Sequence, residues 1–492
     1  MEIELKFQLT DASRKNLESV LRNAGGRSKL LAARYFDTPE GDLALAGLSL
    51  RLRKEGRVWF QTLKSADGAA SAVRGEQNVR LGGIAGPQPD LSHHKHTEDG
   101  ARLERLLAHS SGAGLICKYS TEIRRLSARI GSRARIDYAL DSGRIIAQAD
   151  GDDRPLALPV CEMEMELVSG PVSGLLSAVR KLLQEHEAWL DVRSKSQRGD
   201  ALARGALIAA PAKARPLLVA SGSLKALVEA ALADCARQVL QNASQLAAPE
   251  GGESEHVHQL RIGLRRLRSA IRLFDNVTGG RMAGWESQAK LLASGLGGNR
   301  DIDMMAESLW SLLREAGAPL VELPLHDTLL SPADLIRDAS MQQWLLGLVA
   351  LELEGAGDVS DGDWTLILPV LRDWHHRCRK GALLFSSFDA DRRHRLRKRL
   401  KRLKYALEFI EYELPPKRYR RFAKAVASAL DDLGRYNDLQ VALRSYREFA
   451  EIDPRTWFAI GWLQTRLAKA ESRCAKSLAA FHEADPPWNL TD

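Results

Sequence analysis

The apolar residues of this chain change their repeat once, near residue 210, and that change requires two unlike architectures. Up to about residue 204 they alternate with polar ones. Ile3, Leu5 and Phe7 interleave with Glu2, Glu4 and Lys6, Leu48, Leu50 and Leu52 with Ser49, Arg51 and Arg53, and Met163, Met165 and Leu167 with Glu162, Glu164 and Glu166. A period of two marks strands. Turn sequences such as Pro39-Glu40-Gly41-Asp42 and Asp141-Ser142-Gly143 fall between them. Apolar steps of three and four predict helices at roughly 11–24 and 172–190. The stretch 81–100, with its glycines, prolines and histidines, reads as a surface loop, and His93, His94 and His96 as an exposed tract rather than a chelating site. From about 219 onward, Leu/Ala-rich amphipathic patterns run on, broken near 249–252, 279–284, 355–362, 414–416 and 453–454, which predicts a helical bundle. The chain is therefore expected to be an α+β multidomain protein: a strand-rich domain at 1–204, a linker at 205–218 carrying Pro211 and Pro216, and an all-α domain at 219–492.

Composition removes several classes. With 45% hydrophobic and 27% charged residues in 492, the chain has the make-up of a folded protein. Its longest apolar runs, such as 345–353, fall far short of the ~20 residues a membrane span needs. The N-terminal residues lack the basic and apolar regions of a secretory signal. Cys117, Cys161, Cys235, Cys378 and Cys474 show no CxxC spacing, which fits reduced thiols and a cytoplasmic location. A net charge of +8 only hints at a polyanionic partner.

The helical half contains a repeat that sharpens this hint. His258, Arg261, Arg265 and Arg268 recur as His394, Arg397, Lys401 and Lys404, at the same offsets 136 residues later. Those offsets put all four side chains on one helix face. About 40 residues after each histidine comes an L-G-x-x-[RN]-D sequence, at 296–301 and 433–438. Two similar helical hairpins with facing basic surfaces are expected. Residues 392–404 hold nine Lys or Arg and no acid, and 256–272 hold five Arg and no acid. A single basic run is usually a solvated face; accepting like-charge repulsion twice, at matched positions, points to an anion with closely spaced charges. Aromatics are only 6%, with Tyr405 the clearest stacking candidate, which argues against single-stranded nucleic acid. These motifs resemble the CHAD domain, a helical module that binds inorganic polyphosphate. The resemblance implies that His258, Arg261, Arg265, Arg268, His394, Arg397, Lys401 and Lys404 line a basic groove or pore for long-chain polyphosphate. Lysines replace arginines in the second copy, so the two halves are expected to grip phosphate differently. His258 and His394 also fit the role of hydrogen-bonded core histidines.

In the first half, a charged face opposite apolar residues would ordinarily be the wet side of a sheet. Taken together, the strands suggest otherwise. Carboxylates cluster on the first strand and on 162–166, while Arg51, Arg53, Lys64 and Arg125 lie on strands between. A closed barrel with these faces inward would hold a lumen lined by both signs, suited to a polyanion bridged to carboxylates by divalent cations. The ExExK sequence at Glu2–Lys6, with Tyr35-Phe36-Asp37-Thr38, Arg51-Leu52-Arg53, Thr62-Leu63-Lys64, Arg74-x-Glu76, Thr121 to Arg125, Asp141-x-Gly143, Glu162-x-Glu164-x-Glu166 and Ser194-Lys195-x-x-Arg198-Gly199, resembles the CYTH domain of the triphosphate tunnel metalloenzymes. That resemblance implies an eight-stranded antiparallel tunnel acting on triphosphates with Mg²⁺ or Mn²⁺. The order CYTH before CHAD resembles bacterial inorganic triphosphatases, which implies hydrolysis of tripolyphosphate to diphosphate and phosphate. Glu2, Glu4, Glu162 and Glu164 would hold metal, with Glu166 assisting. Lys6, Arg51, Arg53, Lys64, Arg125 and Lys195 would neutralise and position the phosphates, and a metal-bound or Glu-activated water would attack in line. Asp141 and Glu76 are further candidates, and Arg124 competes with Arg125 for the inward register. A nucleoside triphosphatase, an adenylate cyclase and a non-catalytic polyphosphate scaffold are the alternatives; duplex nucleic acid remains the competitor to test at the helical half.

Overall fold

The computed structural model describes residues 2–65, 73–82, 86–109, 114–148, 154–217, 219, 223–280, 282–296, 309, 311–321, 331–355, 357, 359–360 and 362–488. Strands β1 (Glu2–Leu9), β2 (Arg27–Asp37), β3 (Leu48–Glu55), β4 (Val58–Ser65), β5 (Val73–Gly82), β6 (Ile116–Ile130), β7 (Arg135–Ala147), β8 (Leu156–Ser169) and β9 (Ala188–Leu190) form one sheet in the order β5-β4-β3-β2-β6-β7-β8-β1-β9. Its ladders are antiparallel. The additional pairing of β1 with β5, Glu2 opposite Arg74 and Ile3 opposite Val73, returns the first eight strands to their starting point. This is the antiparallel N-terminal domain, followed by a helical region, that the periodicity predicts.

The barrel turns its polar face inward. On β3, Leu50 and Leu52 are buried on the outer side, while Ser49, Arg51 and Arg53 face the lumen. On β8 the buried Met163 and Met165 alternate with Glu162, Glu164 and Glu166. Burial of the outer side needs a cover, and helices provide it. Helix α1 (Asp11–Asn23), capped by the Thr10 hydroxyl accepting from the Ser13 amide, buries Leu17 and Leu21. After a short helix α2 (Asp42–Leu45) comes α3 (Glu98–His109), whose Leu103 joins Leu43, Leu48, Leu50 and Leu63 in a core on the outside of β3 and β4. Helix α4 (Val172–Glu185) packs Leu175, Val179 and Leu182 towards β8 and β9. A second core lies inside one end of the barrel: Tyr35, Tyr119, Ile145 and Val160 enclose Leu202 and Ala203 of helix α5 (Lys195–Ala203), which plugs it.

The stretch 81–100 is not a simple loop. β5 continues to Gly82, Leu91–His94 forms a 3₁₀ turn, and α3 starts at Glu98. The Gln61 amide clamps Asp90 at both ends, donating to its carbonyl at 2.7 Å and accepting from its N–H at 2.8 Å. His93 and His96 are exposed. His94 is instead buried, with Nδ1 3.3 Å from Gln77 Oε1.

The helical region comprises α6 (Leu224–Ala247), α7 (Ser254–Phe274), α8 (Ala283–Gly295), α9 (Pro332–Arg337), α10 (Ala339–Glu354), α11 (Leu368–Leu383), α12 (Ala390–Phe409), α13 (Pro416–Phe449) and α14 (Thr456–Glu483). By packing, residues 1–213, 236–260 and 331–355 make one compact unit; 214–235, 261–330 and 356–492 make a second. Within the first, the edge strand β9 and the residues after it are satisfied by helix side chains rather than by another strand. The Leu190 N–H donates to Gln342 Oε1 at 2.7 Å, the Val192 N–H to Ser244 Oγ at 3.1 Å, and the Arg337 guanidinium stacks 4.3 Å from the Trp189 ring. Within the second, Phe422, Phe481 and Trp488 surround His375 edge-on, and burial pushes that imidazole down to about 4.

Candidate active site

A cavity of about 250 Å³ occupies the barrel interior. Glu4, Lys6, Arg51, Arg53, Lys64, Glu76, Arg125, Asp141, Glu164, Glu166 and Lys195 line it, so carboxylates and cations from eight elements converge on one space. Register explains the convergence. Glu4 stands opposite Glu166 and Lys6 opposite Glu164 across β1 and β8, while Arg125 stands opposite Asp141 across β6 and β7. Arg124, one position earlier, lies half-exposed on the outer side, 3.9 Å from Glu18.

Two charge clusters occupy the walls. In the first, Asp141, Glu162 and Glu164 offer oxygens lying within 4.8 Å of one another. The Arg125 fork grips Asp141 at 2.7 and 2.6 Å and also reaches Glu164. Lys195 Nζ is 2.7 Å from both Asp141 and Glu164 and bonds Glu162 as well. Burial alone would raise Glu164, but Arg125 and Lys195 outweigh it and hold the carboxyl well below its usual range. Burial likewise opposes the Lys195 charge, and Asp141, Glu162 and Glu164 overcome it, raising its pKa. In the second cluster, Glu76 pairs with Lys64, lies 3.4 Å from Arg51 and accepts from Asn78 at 2.9 Å. Against the opposing effect of burial, Lys64 and Arg51 pull Glu76 down to about 2. Arg51 also donates to the Tyr35 hydroxyl at 3.3 Å, and Arg53 lies 2.8 Å from Glu55.

The sequence motif at 194–199 builds the plug. Ser194 and Gln197 form a reciprocal capping box, at 3.0 and 2.8 Å, that starts α5 and aims Lys195 at the carboxylates. One turn on, Arg198 bonds the buried Glu162. Gly199 lets this helix approach the wall: a Cβ there would lie 2.2 Å from the Tyr119 ring. That ring cannot move aside, because it stacks on Tyr35 at 4.6 Å and its hydroxyl donates to the Ser196 carbonyl at 3.2 Å. Gly199→Ala is therefore expected to destabilise the protein by roughly 1–3 kcal/mol, read as a lowered melting temperature. An unchanged melt would mean that the plug is not tightly seated.

Of the residues expected to bind metal or phosphate, Glu4, Lys6, Arg51, Arg53, Lys64, Arg125, Glu164 and Lys195 line the cavity. Glu162 is 1% exposed and sits behind the lining, paired to Lys195 and Arg198. Glu2 lies in β1, but its side chain is outside the described residues. Asp141, a secondary candidate from sequence, is fully buried in the cluster. Arg198, matched in the motif without a role, holds Glu162 from behind the lining, and Tyr35, Asn78, Ser194 and Ser196, which carry no charge signature, are among the lining residues. The three-carboxylate cluster, all hard oxygen donors beside a polar cavity, fits a hard divalent cation.

In the helical region, Arg261, Arg265 and Arg268 lie on α7 and His394, Arg397, Lys401 and Lys404 on α12. Arg265 is within electrostatic reach of Lys401, and Arg268 of Lys398. His394 Nδ1 is 2.9 Å from Asn437 Oδ1, which joins the histidine motif to the 433–438 sequence. Arg268 is 3.1 Å from Glu286 and Lys404 3.2 Å from Glu408. His258 is half-buried on α7; of the first-copy sequence 296–301, only Leu296 is among the described residues.

Comparison with known proteins gives two family matches, one described as CYTH domain over residues 1–199 and one as CHAD domain over residues 230–447. An inorganic triphosphatase from Haemophilus influenzae is 28% identical over 204 residues, covering 40% of this chain and 54% of that protein. The chain thus spans about half the length of that curated relative. The CHAD domain from the plant Ricinus communis is 29% identical, with 56% of this chain and 98% of that chain covered and a TM-score of 0.48. A Hippeastrum protein with a dominant triphosphatase activity is 18% identical, with 42% and 98% covered and a TM-score of 0.31.

Proposed function

The chain belongs to the CYTH and CHAD families, and on that premise we propose that it hydrolyses inorganic tripolyphosphate to diphosphate and phosphate in its barrel, with Mg²⁺ or Mn²⁺, and binds long-chain polyphosphate on its basic helices. The observation that carries the reading is the barrel cavity, where Glu4, Asp141, Glu164 and Glu166 face Lys6, Arg51, Arg53, Lys64, Arg125 and Lys195. A lone polyanion would need only the cations; a metal alone would need only the carboxylates. Both together suit a phosphate chain bridged to protein by divalent ions. A bound divalent cation would polarise phosphoryl oxygens and lower the pKa of a water.

The chain's own residues do the rest. Arg51, Arg53 and Lys64 project from β3 and β4 and Arg125 and Lys195 from β6 and α5, so a linear triphosphate in the cavity would meet cations from several elements. They stabilise the charge that develops on equatorial and leaving oxygens, which is most of the work in phosphoryl transfer. Arg51 is held by Tyr35 and Glu76, and Arg125 by Asp141, so neither has to reorganise far when substrate arrives. Among the described lining residues the only aromatic is Tyr35, already stacked on Tyr119; this favours an inorganic chain over a nucleotide, whose base needs a platform. The same reading keeps the domain limits at 1–204 and 219–492 and a cytoplasmic location, which five free cysteines suit. No described helix is long and apolar enough to cross a membrane.

Phosphate release from tripolyphosphate, ATP and thiamine triphosphate, each with Mg²⁺ and Mn²⁺, tests the proposal. Tripolyphosphate is expected to be preferred, and Glu4→Gln to lose about a hundredfold or more. A clear preference for ATP would overturn the substrate assignment. Activity surviving in Glu4→Gln would overturn the site.

A further inference from the structure

Behind the cavity lies a hydrogen-bonded chain that no cavity-lining residue explains. Arg193 is buried at 6% exposure and uses its whole guanidinium. Nε and one terminal nitrogen grip Asp191 at 2.9 and 2.8 Å, and the other terminal nitrogen donates to Gln245 at 2.9 Å and Glu250 at 2.7 Å. Asp191, 1% exposed, accepts again from the Arg193 backbone N–H at 2.9 Å. Its own N–H donates to the carbonyl of Lys6 at 2.9 Å, inside the ExExK segment. Its Oδ2 accepts from Gln8 Nε2 at 3.0 Å, and the same Gln8 nitrogen lies 3.4 Å from Glu162 Oε2.

The chemistry of this chain is directional. Asp191 and Glu162 are ionised carboxylates and only accept, so the Gln8 amide must present its NH₂ to both. A flipped amide would set its carbonyl against two anions. Asp191 thereby fixes Gln8, and Gln8 shares one oxygen of Glu162 with Arg198, leaving the other for Lys195. Asp191 is itself immobilised by a bidentate arginine, and that arginine by Gln245 in the last turn of α6 and Glu250 in the connection to α7. A buried guanidinium tolerates no missing partner, so loosening one end is felt at the other.

We propose that Arg193 is a positioning residue for the barrel's carboxylate cluster, acting through Asp191 and Gln8 on Glu162, and that Glu250 and Gln245 anchor it. The inference rests on the reading of the barrel as the metal and triphosphate site. It makes the barrel dependent on residues beyond its own sequence, since Gln245 and Glu250 lie within the 230–447 segment that matches the CHAD family. They nevertheless belong to the first packing unit.

The test uses the full chain and reads Mn²⁺ binding to substrate-free protein by electron paramagnetic resonance, beside turnover and melting temperature. Glu250→Ala is expected to weaken Mn²⁺ binding about fivefold or more, although Glu250 lines no part of the cavity. Gln245→Ala, which keeps the Glu250 bond, should show a smaller loss and serves if Glu250→Ala fails to fold. Gln8→Met should weaken Mn²⁺ binding by itself, and adding Glu250→Ala to it should cost nothing further, because both act through one bond. Arg193→Lys, which keeps the charge but not the fork, should fold and bind Mn²⁺ weakly. Unchanged Mn²⁺ affinity in folded Glu250→Ala and Gln245→Ala, or additive losses with Gln8→Met, would reduce Arg193 to a structural ion pair and overturn the proposal. Wild-type protein that binds Mn²⁺ but spares tripolyphosphate would overturn only the substrate reading. Wild-type protein that binds no Mn²⁺ would overturn the site, and this inference with it.

Discussion

Replacing Lys195 by alanine is expected to separate two properties of the barrel: Mn²⁺ affinity of the substrate-free protein rises about tenfold, while tripolyphosphate turnover falls about a hundredfold. The ammonium lies 2.7 Å from Asp141 and Glu164 and bonds Glu162, the same carboxylates whose oxygens come within 4.8 Å of one another. It therefore stands where a divalent cation would draw its ligands. A cation held by that cluster would compete with the ammonium for the same oxygens, and Lys195, which also lines the cavity, would then be in reach of the phosphates it would neutralise. Without the lysine the competitor is gone, and so is the phosphate contact. Its raised pKa keeps it charged well above neutrality, so the competition does not vary between pH 6 and 9. Stability carries a third signature. A group with a raised folded-state pKa stabilises the fold below its unfolded value, so this contribution is fully present at neutral pH and is what the alanine removes. Breaking a buried ion network costs about 3–5 kcal/mol, of which added Mn²⁺ should restore part in the variant, seen as a larger metal-induced rise in melting temperature than in wild type. Weaker Mn²⁺ binding in Lys195→Ala would mean that the ammonium organises the carboxylates instead of competing for them.

How much of this was legible in the sequence depends on the range of the contacts. Alternation locates β1, β3 and β8 and sorts their residues onto two faces, but period two does not say which face is inside. Charges of both signs on several strands supply the answer, because Arg125, Asp141 and Glu164 satisfy one another on the shared face of the neighbouring strands β6, β7 and β8. The choice between Arg124 and Arg125 is a matter of register, settled by the pairing of Arg125 with Asp141. The chain from Gln8 to Glu250 had no local signal: Gln8 meets Asp191 183 residues away and Arg193 meets Glu250 across 57. Only the i,i+2 pair Asp191 and Arg193 ahead of the plug motif could have hinted at it. His94 reads as part of an exposed tract because nothing nearby predicts its contact with Gln77. Basic runs also mix populations. Arg266 lies in the first run yet is 2% exposed, 2.8 Å from Asp234 and stacked 5.4 Å from the Phe409 ring. Arg393 in the second donates to the Tyr436 hydroxyl at 2.7 Å and stacks on Phe385. Helical spacing sets Arg266 and Arg393 off the stripe, which charge counting does not, but it does not mark Arg261, a stripe residue that is itself buried and donates to the Leu296 carbonyl at 3.3 Å.

Polyphosphate binding by the helical region is expected to weaken as pH rises from 7 to 8.5, by up to about tenfold per pH unit, with Lys401 as the titrating group. Burial, then the neighbouring Arg397 and Arg265, push Lys401 down to about 7; Asp438 opposes them and Lys404 adds to them. The sign follows from the depression. In the free protein the ammonium deprotonates above about 7, whereas contact with a polyanion restores it, so binding takes up a proton between that value and the ordinary lysine range. Below pH 7 the lysine is already charged and affinity levels off. His394, pushed below its ordinary value by burial, changes charge beneath this window and does not imitate the effect. Titration of the full-length protein with long-chain polyphosphate at constant ionic strength, from pH 6 to 8.5, reads the slope. Lys401→Arg should bind as tightly at pH 8.5 as at pH 6, and Lys401→Met should bind weakly at both. A wild-type slope that persists in Lys401→Met would assign the proton to another group and remove Lys401 from the contact. Duplex DNA at the same salt, binding with equal affinity, would show that the face answers to charge density alone and not to a phosphate chain.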